Sequence, residues 1–343
     1  MNQVKGRNRY RVRAAGTLIL AAAVVLVFSL SGCSRPGGND DTSGAEASAM
    51  PSPAVTQPPS PAAGQTDAPE GTEPAASAPD SSPSVLTAFM DPDKLQPVFG
   101  FADETGSHIL VTREEEGNEQ QMQSLNTAIG NGGQELAVKF EKWQAGSEDS
   151  NGRELANNIP HLSGYLFKVE GGSAEQNETY YLADSAQFPQ AALLAIQPAD
   201  PAAPQLAPED PVRQSIAAVK QRKIESVWKL ADLGPDRRLY VVQFVRMDKD
   251  MLFSLVLEED GKLSFKDYPA VLQDNEYSVW RVDDGGEVIP QMFSLLFAAQ
   301  AADGLLIGLN WWGAEGVSSF FLSQEGGGFT ELKIEYSRYI SPL

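Results

Sequence analysis

The sequence predicts an α+β fold rich in β-strands, in which antiparallel β-meander units carry a few short helices and follow a disordered linker. From Ile224 onward, apolar segments of strand length alternate with turn residues almost without interruption. Only two segments, near Met122 and after Pro211, place apolar residues at helical spacing. Residues 36–84 contain ten prolines and no aromatic residue, Ile or Leu, so they bury too little surface to offset chain entropy.

The N-terminal segment has the pattern of an export signal. Five basic residues lie between Lys5 and Arg13, and no charged residue occurs from Ala14 to Leu30. A basic region, an apolar region and small residues at its exit are typical of a signal that sends the following chain across a membrane. Residues 1–32 are therefore predicted to be a signal peptide.

The apolar run ends in Leu30-Ser31-Gly32-Cys33, which contains the only cysteine of the 343 residues. This tetrapeptide resembles the lipobox of bacterial lipoproteins. The resemblance implies that the Cys33 thiol receives a diacylglyceryl group and that the signal is cut before it. Acyl chains such as palmitate would then hold the protein at the extracytoplasmic face of the cell membrane. The alternatives are an uncleaved transmembrane helix, for which the run is somewhat short, and a free or buried cysteine.

Composition excludes several functional classes. The formal charge is −20 for the whole chain and −25 without the signal, and no Lys/Arg-rich run follows Arg13, so nucleic acid is not an expected partner. If Cys33 is acylated, no thiol remains for disulfides, nucleophilic catalysis or thiolate metal sites. We expect no cofactor.

Beyond the signal, the chain divides into three predicted regions. Residues 33–84 form a lipid-anchored, disordered stalk rich in Pro, Ala and Ser. Residues 85–210 form an N-terminal α+β lobe, and residues 211–343 form a C-terminal β-rich lobe. The boundary between the lobes is placed at Pro198–Pro211, which contains five prolines.

Within the first lobe, turn and periodicity signals indicate a hairpin, a helix and three further strands. The helix carries Met122, Leu125 and Ile129 on one face and is predicted to end at Gly130. The predicted strands are Leu95–Phe101 and Ser107–Arg113 in the hairpin, then Glu135–Trp143, then the pair Gly164–Glu170 and Glu178–Asp184.

The second lobe begins with a helix and continues as strands. Asp210 is placed to cap the helix before Pro211, and Val212, Ile216 and Val219 share one face. Turn residues separate the predicted strands. These strands are Ile224–Leu233, Arg237–Met247, Met251–Glu258, Lys262–Tyr268, Met292–Ala299, Leu305–Trp312, Val317–Gln324 and Phe329–Tyr336.

A weak internal repeat suggests that these strands form two four-stranded antiparallel units. Ser226–Gly234 and Ser278–Gly286 are identical at five of nine positions and lie 52 residues apart. The repeat allows a packed antiparallel lobe or propeller blades, and chance similarity is the remaining interpretation.

Candidate catalytic and metal-binding residues are few. His108 lies in an apolar strand and is interpreted as a hydrogen-bonded structural residue, whereas His161 is expected to face solvent in a loop. No His-x-x-x-His or Gly-x-Ser-x-Gly motif occurs, so neither a zinc site nor a serine hydrolase is indicated. The acidic segment Asp283–Glu287 is interpreted as a turn, with a calcium site as the alternative.

Two further features remain as hypotheses. Trp311 and Trp312 are adjacent in a strand and must face opposite sides, so one is a candidate exposed aromatic platform. Glu315 with Asp267 or Glu335 is a candidate carboxylate pair for glycoside cleavage.

The function expected from these observations is that of a lipid-anchored extracytoplasmic envelope protein, acting as a non-catalytic binding or accessory module. Its expected partners are the membrane, through the lipid on Cys33, and an envelope protein or wall polymer. One alternative is a carboxylate-dependent glycan or cell-wall hydrolase. A second alternative is a solute-binding transport lipoprotein, although the continuous strands after Ile224 argue against its alternating strand-helix lobes.

Overall fold

The computed structural model describes residues 88–273 and 277–341, and slightly less than half of these residues form the strands of two β-sheets. The prediction of a strand-rich fold with few, short helices is confirmed. The predicted signal peptide, residues 1–32, and the whole predicted linker, residues 33–84, lie outside the described residues. The helices are α1 (Glu119–Ser124) and α2 (Pro211–Lys220), with 3₁₀ turns at Pro92–Lys94, Ala156–His161, Gln190–Ala192 and Pro290–Met292.

The first sheet is a closed six-stranded barrel. Its order is β1-β2-β5-β4-β3-β6, and every neighbouring pair is antiparallel. Closure gives every strand two neighbours and leaves no free edge. The strands are β1 (Phe99–Ala102), β2 (His108–Thr112), β3 (Thr127–Gly130), β4 (Gln134–Gln144), β5 (Gly164–Val169) and β6 (Thr179–Ala183).

The hairpin predicted at the start of the barrel is confirmed. Strands β1 and β2 pair antiparallel with Phe101 opposite Leu110. Between them, the Asp103 carboxylate accepts hydrogen bonds from the backbone N–H groups of Thr105 and Ser107 and so closes the turn. Strand β4 is confirmed as well, with Leu136 and Val138 buried on one face.

The helix predicted to end at Gly130 is wrong in its second half. Helix α1 ends at Ser124, and the segment Thr127–Gly130 is the buried strand β3. Strand β3 pairs with both β4 and β6, and these two ladders supply more backbone hydrogen bonds than one further helical turn would. Tertiary pairing therefore overrides the helical spacing of the apolar residues.

The strands predicted as a pair after His161 both form, but they do not pair with each other. Strand β5 lies between β2 and β4, and β6 lies between β1 and β3. The barrel closes because β5 and β6 each pair with two earlier strands and not with each other.

The second sheet has nine strands in the order β12-β13-β14-β15-β11-β10-β9-β8-β7. Its two four-stranded meanders, β8–β11 and β12–β15, meet at a single parallel pairing of Phe265 with Gly328. The strands are β7 (Ile196–Pro198), β8 (Ile224–Leu233), β9 (Arg237–Phe244), β10 (Asp250–Glu259), β11 (Lys262–Val271), β12 (Phe293–Ala301), β13 (Gly304–Trp312), β14 (Gly316–Glu325) and β15 (Gly328–Tyr339).

The sheet begins at Ile196, whereas the sequence placed the start of the second lobe at residue 211. Its two meanders pack face to face around a core that contains Val241 and Leu255 from one and Ile307 and Leu322 from the other. Burial of these apolar side chains is the main force that holds the sheet together.

Helix α2 starts as predicted. The Asp210 carboxylate accepts hydrogen bonds from the N–H groups of Val212 and Arg213, so it caps the helix. Ile216 is fully buried against the sheet. The predicted apolar face is wrong at its end, because Val219 is 60% exposed.

The barrel and the nine-stranded sheet belong to one compact unit. An aromatic cluster joins them: Phe99 and Tyr181 of the barrel contact Phe321 of β14 at ring-centroid distances of 5.4 and 5.2 Å. Carbonyl groups along the outer edge of β12 also accept backbone hydrogen bonds from Gly132 and Gly133 of the barrel. The barrel therefore covers an edge strand that would otherwise be open to pairing.

The aligned segments of the proposed internal repeat do not share a structure. Ser226–Gly234 covers most of strand β8, whereas Ser278–Gly286 contains no helix or strand. The two predicted four-stranded units do exist, as β8–β11 and β12–β15, and the second begins at Phe293, one residue after the predicted Met292.

Candidate ligand-binding groove

Two adjoining cavities run along strand β8 and form one groove, here called the β8 groove. Their volumes are about 370 and 550 Å³, and they share four lining residues, Pro198, Ala199, Lys229 and Pro290. The smaller cavity lies between the barrel and the sheet, and the larger lies beneath the proline-rich segment. Ligand sites in proteins commonly have these volumes and lie between structural units.

The outer wall of the groove is the proline-rich segment that follows β7. Two backbone hydrogen bonds fix its ends to β8, from Ala199 N–H to Leu230 C=O and from Leu206 N–H to Val227 C=O, both 2.9 Å. Between these points, Pro201 and Pro204 lack an N–H group and cannot extend the ladder. The segment therefore stands away from β8 and leaves space beneath it.

Apolar and aromatic side chains line both cavities of the groove, together with polar residues in the larger one. Leu230, Phe293 and Leu295 line the smaller cavity, and Trp228 and Tyr240 line the larger one. Burial raises the pKa of the Tyr240 phenol to about 12, so this side chain is uncharged at physiological pH.

Both basic side chains of the groove are held by acidic neighbours. Lys229 Nζ lies 2.8 Å from an Asp232 carboxylate oxygen, and Arg238 Nη1 lies 2.6 Å from Glu258 Oε2. Glu258 also accepts a hydrogen bond from the backbone N–H of Gly261 through its other oxygen. The positive charges of the groove are therefore largely neutralised from within the protein.

Glu178 supplies a carboxylate to the smaller cavity from the start of β6. Its Oε2 atom is buried and has no hydrogen-bond partner in the described part of the chain. Burial raises the pKa of this carboxyl; the positive charge of Arg338 opposes the rise and the negative charge of Glu175 adds to it. An incompletely compensated carboxylate thus lies at the base of the groove.

Arg338 contacts the residues on both sides of Glu178. Its guanidinium, which is 2% exposed, donates 2.6 and 3.1 Å hydrogen bonds to Asn177 C=O and Thr179 Oγ1. A third hydrogen bond, 2.9 Å long, goes to Glu154 C=O. Burial lowers the pKa of Arg338, and nearby anionic groups counteract the effect. Arg338 lies on β15, so it fixes the position of Glu178 from the opposite sheet.

The lipobox residues Leu30, Ser31, Gly32 and Cys33 lie outside the described residues, so lipid attachment at Cys33 stays a prediction. Across residues 88–273 and 277–341, no helix has the length and apolar character needed to cross a membrane.

Trp311 and Trp312 face opposite sides of β13, and both are half-buried rather than exposed. Trp311 packs into the core between the meanders, with its ring 5.3 Å from that of Phe253. Trp312 donates a 3.1 Å hydrogen bond from Nε1 to Ser294 Oγ. These contacts give both indoles a packing role at the site of the expected aromatic platform.

The two histidines lie far apart and contact different partners. His108 Nδ1 is 3.1 Å from Asp103 and Nε2 is 3.4 Å from Glu141, which agrees with its interpretation as a hydrogen-bonded strand residue. His161 ends a 3₁₀ turn, where it is half-buried and Nδ1 lies 3.0 Å from Ser147 Oγ. It is therefore less exposed than expected.

The acidic segment Asp283–Glu287 forms a turn organised by Asp284. Its carboxylate accepts four backbone hydrogen bonds of 2.7–3.0 Å, from the N–H groups of Val279, Trp280, Arg281 and Gly286. A carboxylate so occupied has little capacity left for a cation. Among the described residues, no group of three or more His, Cys, Asp or Glu side chains is arranged to hold a metal ion.

The candidate carboxylate pairs belong to different surroundings. Asp267 forms a 2.6 Å ion pair with Lys220 and accepts a hydrogen bond from Ser254. Glu315 is exposed in the turn between β13 and β14, and Glu335 is exposed on β15 opposite Phe320. All three carboxylates are exposed, unlike the buried general acid of a glycosidase.

Sequence reasoning missed Glu178 and the groove. Pro198–Pro211 was interpreted as a boundary between lobes, and its prolines were the available signal for a segment that stands away from a strand. The burial of Glu178 depends on Arg338, which is 160 residues away and therefore leaves no local pattern. Comparisons with protein families, curated proteins and solved structures find no match to this chain.

Proposed function

We propose that this protein is a lipid-anchored extracytoplasmic binding module that holds its ligand in the β8 groove. The observation that carries the proposal is the pair of adjoining cavities along β8, with volumes of about 370 and 550 Å³, the smaller with a mostly apolar wall and the larger with a mixed wall. Such walls with a small number of polar groups are typical of ligand sites. The anchor is inferred from the tetrapeptide that ends at Cys33.

Binding is favoured over catalysis by the state of the polar groups around the groove. Lys229 and Arg238 are already paired with carboxylates, and Glu178 has no second carboxylate among the residues that line its cavity. A glycosidase uses two carboxyl groups on either side of its substrate. The strand-rich architecture also differs from the alternating strand-helix lobes expected of a solute-binding transport lipoprotein.

Anchoring is tested with a Cys33→Ala variant expressed beside the unchanged protein in bacterial cells. We expect the unchanged protein in the membrane fraction, with a thioether-linked diacylglyceryl group on Cys33 detected by mass spectrometry. The variant should lack the lipid and keep the signal peptide. An unmodified thiol at Cys33, or Met1 still attached to the native protein, would contradict the proposal.

Ligand binding at the groove is tested by NMR with a set of cationic, neutral and anionic fragments. We expect at least one class to shift the backbone amide signals of Leu230 and Leu295, which lie in the groove. The amide signal of Glu104, which is exposed in the β1–β2 turn and does not line the groove, should not move. If no fragment of any class perturbs the groove, the proposal that the groove is a binding site fails.

A further inference from the structure

We propose that the β8 groove binds an alkylammonium group, of the kind carried by a lysyl side chain or a polyamine, beside Glu178. This proposal rests on the binding function proposed above and specifies the chemical class of the ligand. It is argued from three properties of the groove: its uncompensated charge, the burial of one carboxylate and the chemistry of the surrounding wall.

The charge left over in the groove is negative. Lys229 is paired with Asp232 and Arg238 with Glu258, at 2.8 and 2.6 Å. Glu178 and Asp200 also line the groove, and within the described residues neither forms an ion pair. A ligand that enters the groove therefore meets two carboxylates that form no ion pair, although the charge of Arg338 acts on Glu178, and this balance favours a positive charge.

Glu178 is the carboxylate whose surroundings favour a cation most strongly. Its Oε2 atom is buried without a hydrogen-bond partner, although buried polar groups are normally paired. The charge of Arg338 acts on it, but the three hydrogen bonds of that guanidinium go to Glu154, Asn177 and Thr179, and its buried Nε forms none with Glu178. Glu178 lines the cavity, so a cation bound there would add to the partial compensation of its charge by Arg338.

The wall around Glu178 suits the methylene chain of an alkylammonium ligand. Pro198, Pro290 and Phe293 line the same cavity and offer apolar surface. Ser294 adds one polar function to this wall. Its hydroxyl oxygen accepts hydrogen bonds from Asn310 Nδ2 and Trp312 Nε1, so its own O–H remains available as a donor to a neutral oxygen of the ligand.

The experiment compares two small probes that differ only in the ammonium group. Binding of Nα-acetyl-lysine methylamide and Nα-acetyl-norleucine methylamide to the full chain is measured by NMR titration, and spermidine is titrated separately. We expect the lysine probe to bind at least about tenfold more tightly than the norleucine probe, with shifts at Leu230 and Leu295. A stronger response to spermidine would identify a free polyamine as the source, and a weaker one would identify a lysyl side chain.

Two variants assign the effect to Glu178. Glu178→Gln should remove the preference for the lysine probe, whereas Glu104→Gln, at an exposed position in the β1–β2 turn, should leave it unchanged. If the norleucine probe binds the groove as tightly as the lysine probe, or if Glu178→Gln keeps the preference, the alkylammonium proposal is wrong while the groove remains a binding site. If neither probe nor any other fragment shifts the groove signals, the binding function itself fails.

Discussion

Arg338 and Glu178 connect the β8 groove to the junction between the two sheets. Arg338 is on β15, yet all three of its hydrogen bonds go to residues of the barrel side, Glu154, Asn177 and Thr179. Its guanidinium also lies 4.6 Å from the centre of the Phe101 ring, a cation–π contact. These contacts fix the residues on either side of Glu178 and connect the groove to the junction.

The burial of Glu178 predicts a pH dependence of stability. Its pKa in the folded protein is raised above the ordinary value of 4.5 by burial, so the folded state holds the proton more strongly than the unfolded state. The stronger proton binding stabilises the folded state; this contribution is fully present below about pH 4.5 and is lost as the pH rises through the raised pKa. Gln does not ionise, so the Glu178→Gln variant lacks this pH-dependent loss of stability.

We therefore expect the Glu178→Gln variant to gain stability relative to the unchanged protein as the pH rises from 4.5 to neutral. The free energy of unfolding is measured in urea across this range, with the exposed Glu104→Gln variant as the control. A difference between Glu178→Gln and the unchanged protein that stays constant with pH would contradict the burial argument.

At the scale of elements, the turn around Asp284 shows how one side chain organises a segment without regular secondary structure. Each carboxylate oxygen accepts two backbone N–H groups, at 2.7–3.0 Å. These bonds fold the chain between Val279 and Gly286 back on itself, while Trp280 packs against the core with its ring 5.0 Å from Phe253. The turn therefore closes one end of the space between the meanders.

We expect Asp284→Asn to lower the free energy of unfolding by about 2 kcal/mol. One of the two oxygens becomes an NH₂ group, which leaves two backbone N–H groups without an acceptor. The neighbouring Asp283→Asn is a matched control and should change stability little, because that side chain is exposed. Both are measured by urea unfolding with and without calcium. Stabilisation of the unchanged protein by calcium that the Asp284→Asn variant loses would instead favour a metal site.

Elements with local signals were predicted from the sequence with close boundaries, and elements that depend on distant partners were not. Strands β8 to β15 follow apolar segments bounded by turn residues, and α2 begins at the expected cap on Asp210. Strand β3 was predicted as helix because Met122, Leu125 and Ile129 happen to share helical spacing. Its pairing with β4 and β6 leaves no trace within the segment itself.

For the whole molecule, dependence on distant partners also explains why the sequence predicts neither the closed barrel nor the junction. Barrel closure depends on β5 and β6 pairing with earlier strands rather than with each other. The junction depends on aromatic residues from β1, β6, β12 and β14, each of which looks like an ordinary apolar strand residue in the sequence. Local patterns identify which face of a strand is buried, but not which distant strand covers it.

The aromatic junction predicts that the barrel and the nine-stranded sheet unfold together. Phe321 is fully buried, and its ring lies 5.2–5.5 Å from those of Phe99, Tyr181 and Phe297. We expect Phe321→Ala to lower the free energy of unfolding by about 3–5 kcal/mol, since it removes a large buried ring that packs against residues of both sheets.

The measurement is hydrogen exchange of backbone amides in β4 and β13 across a urea series. Both strands should lose protection at the same urea concentration in the unchanged protein, and at a lower but still common concentration in the Phe321→Ala variant. Phe89→Ala serves as the control because Phe89 is 48% exposed, so its replacement should shift the transition little. If the barrel strand β4 loses protection at a much lower urea concentration than β13 in the unchanged protein, the junction does not couple the two sheets. The contacts of Arg338 near Glu178 would then belong to a barrel that unfolds independently of the sheet.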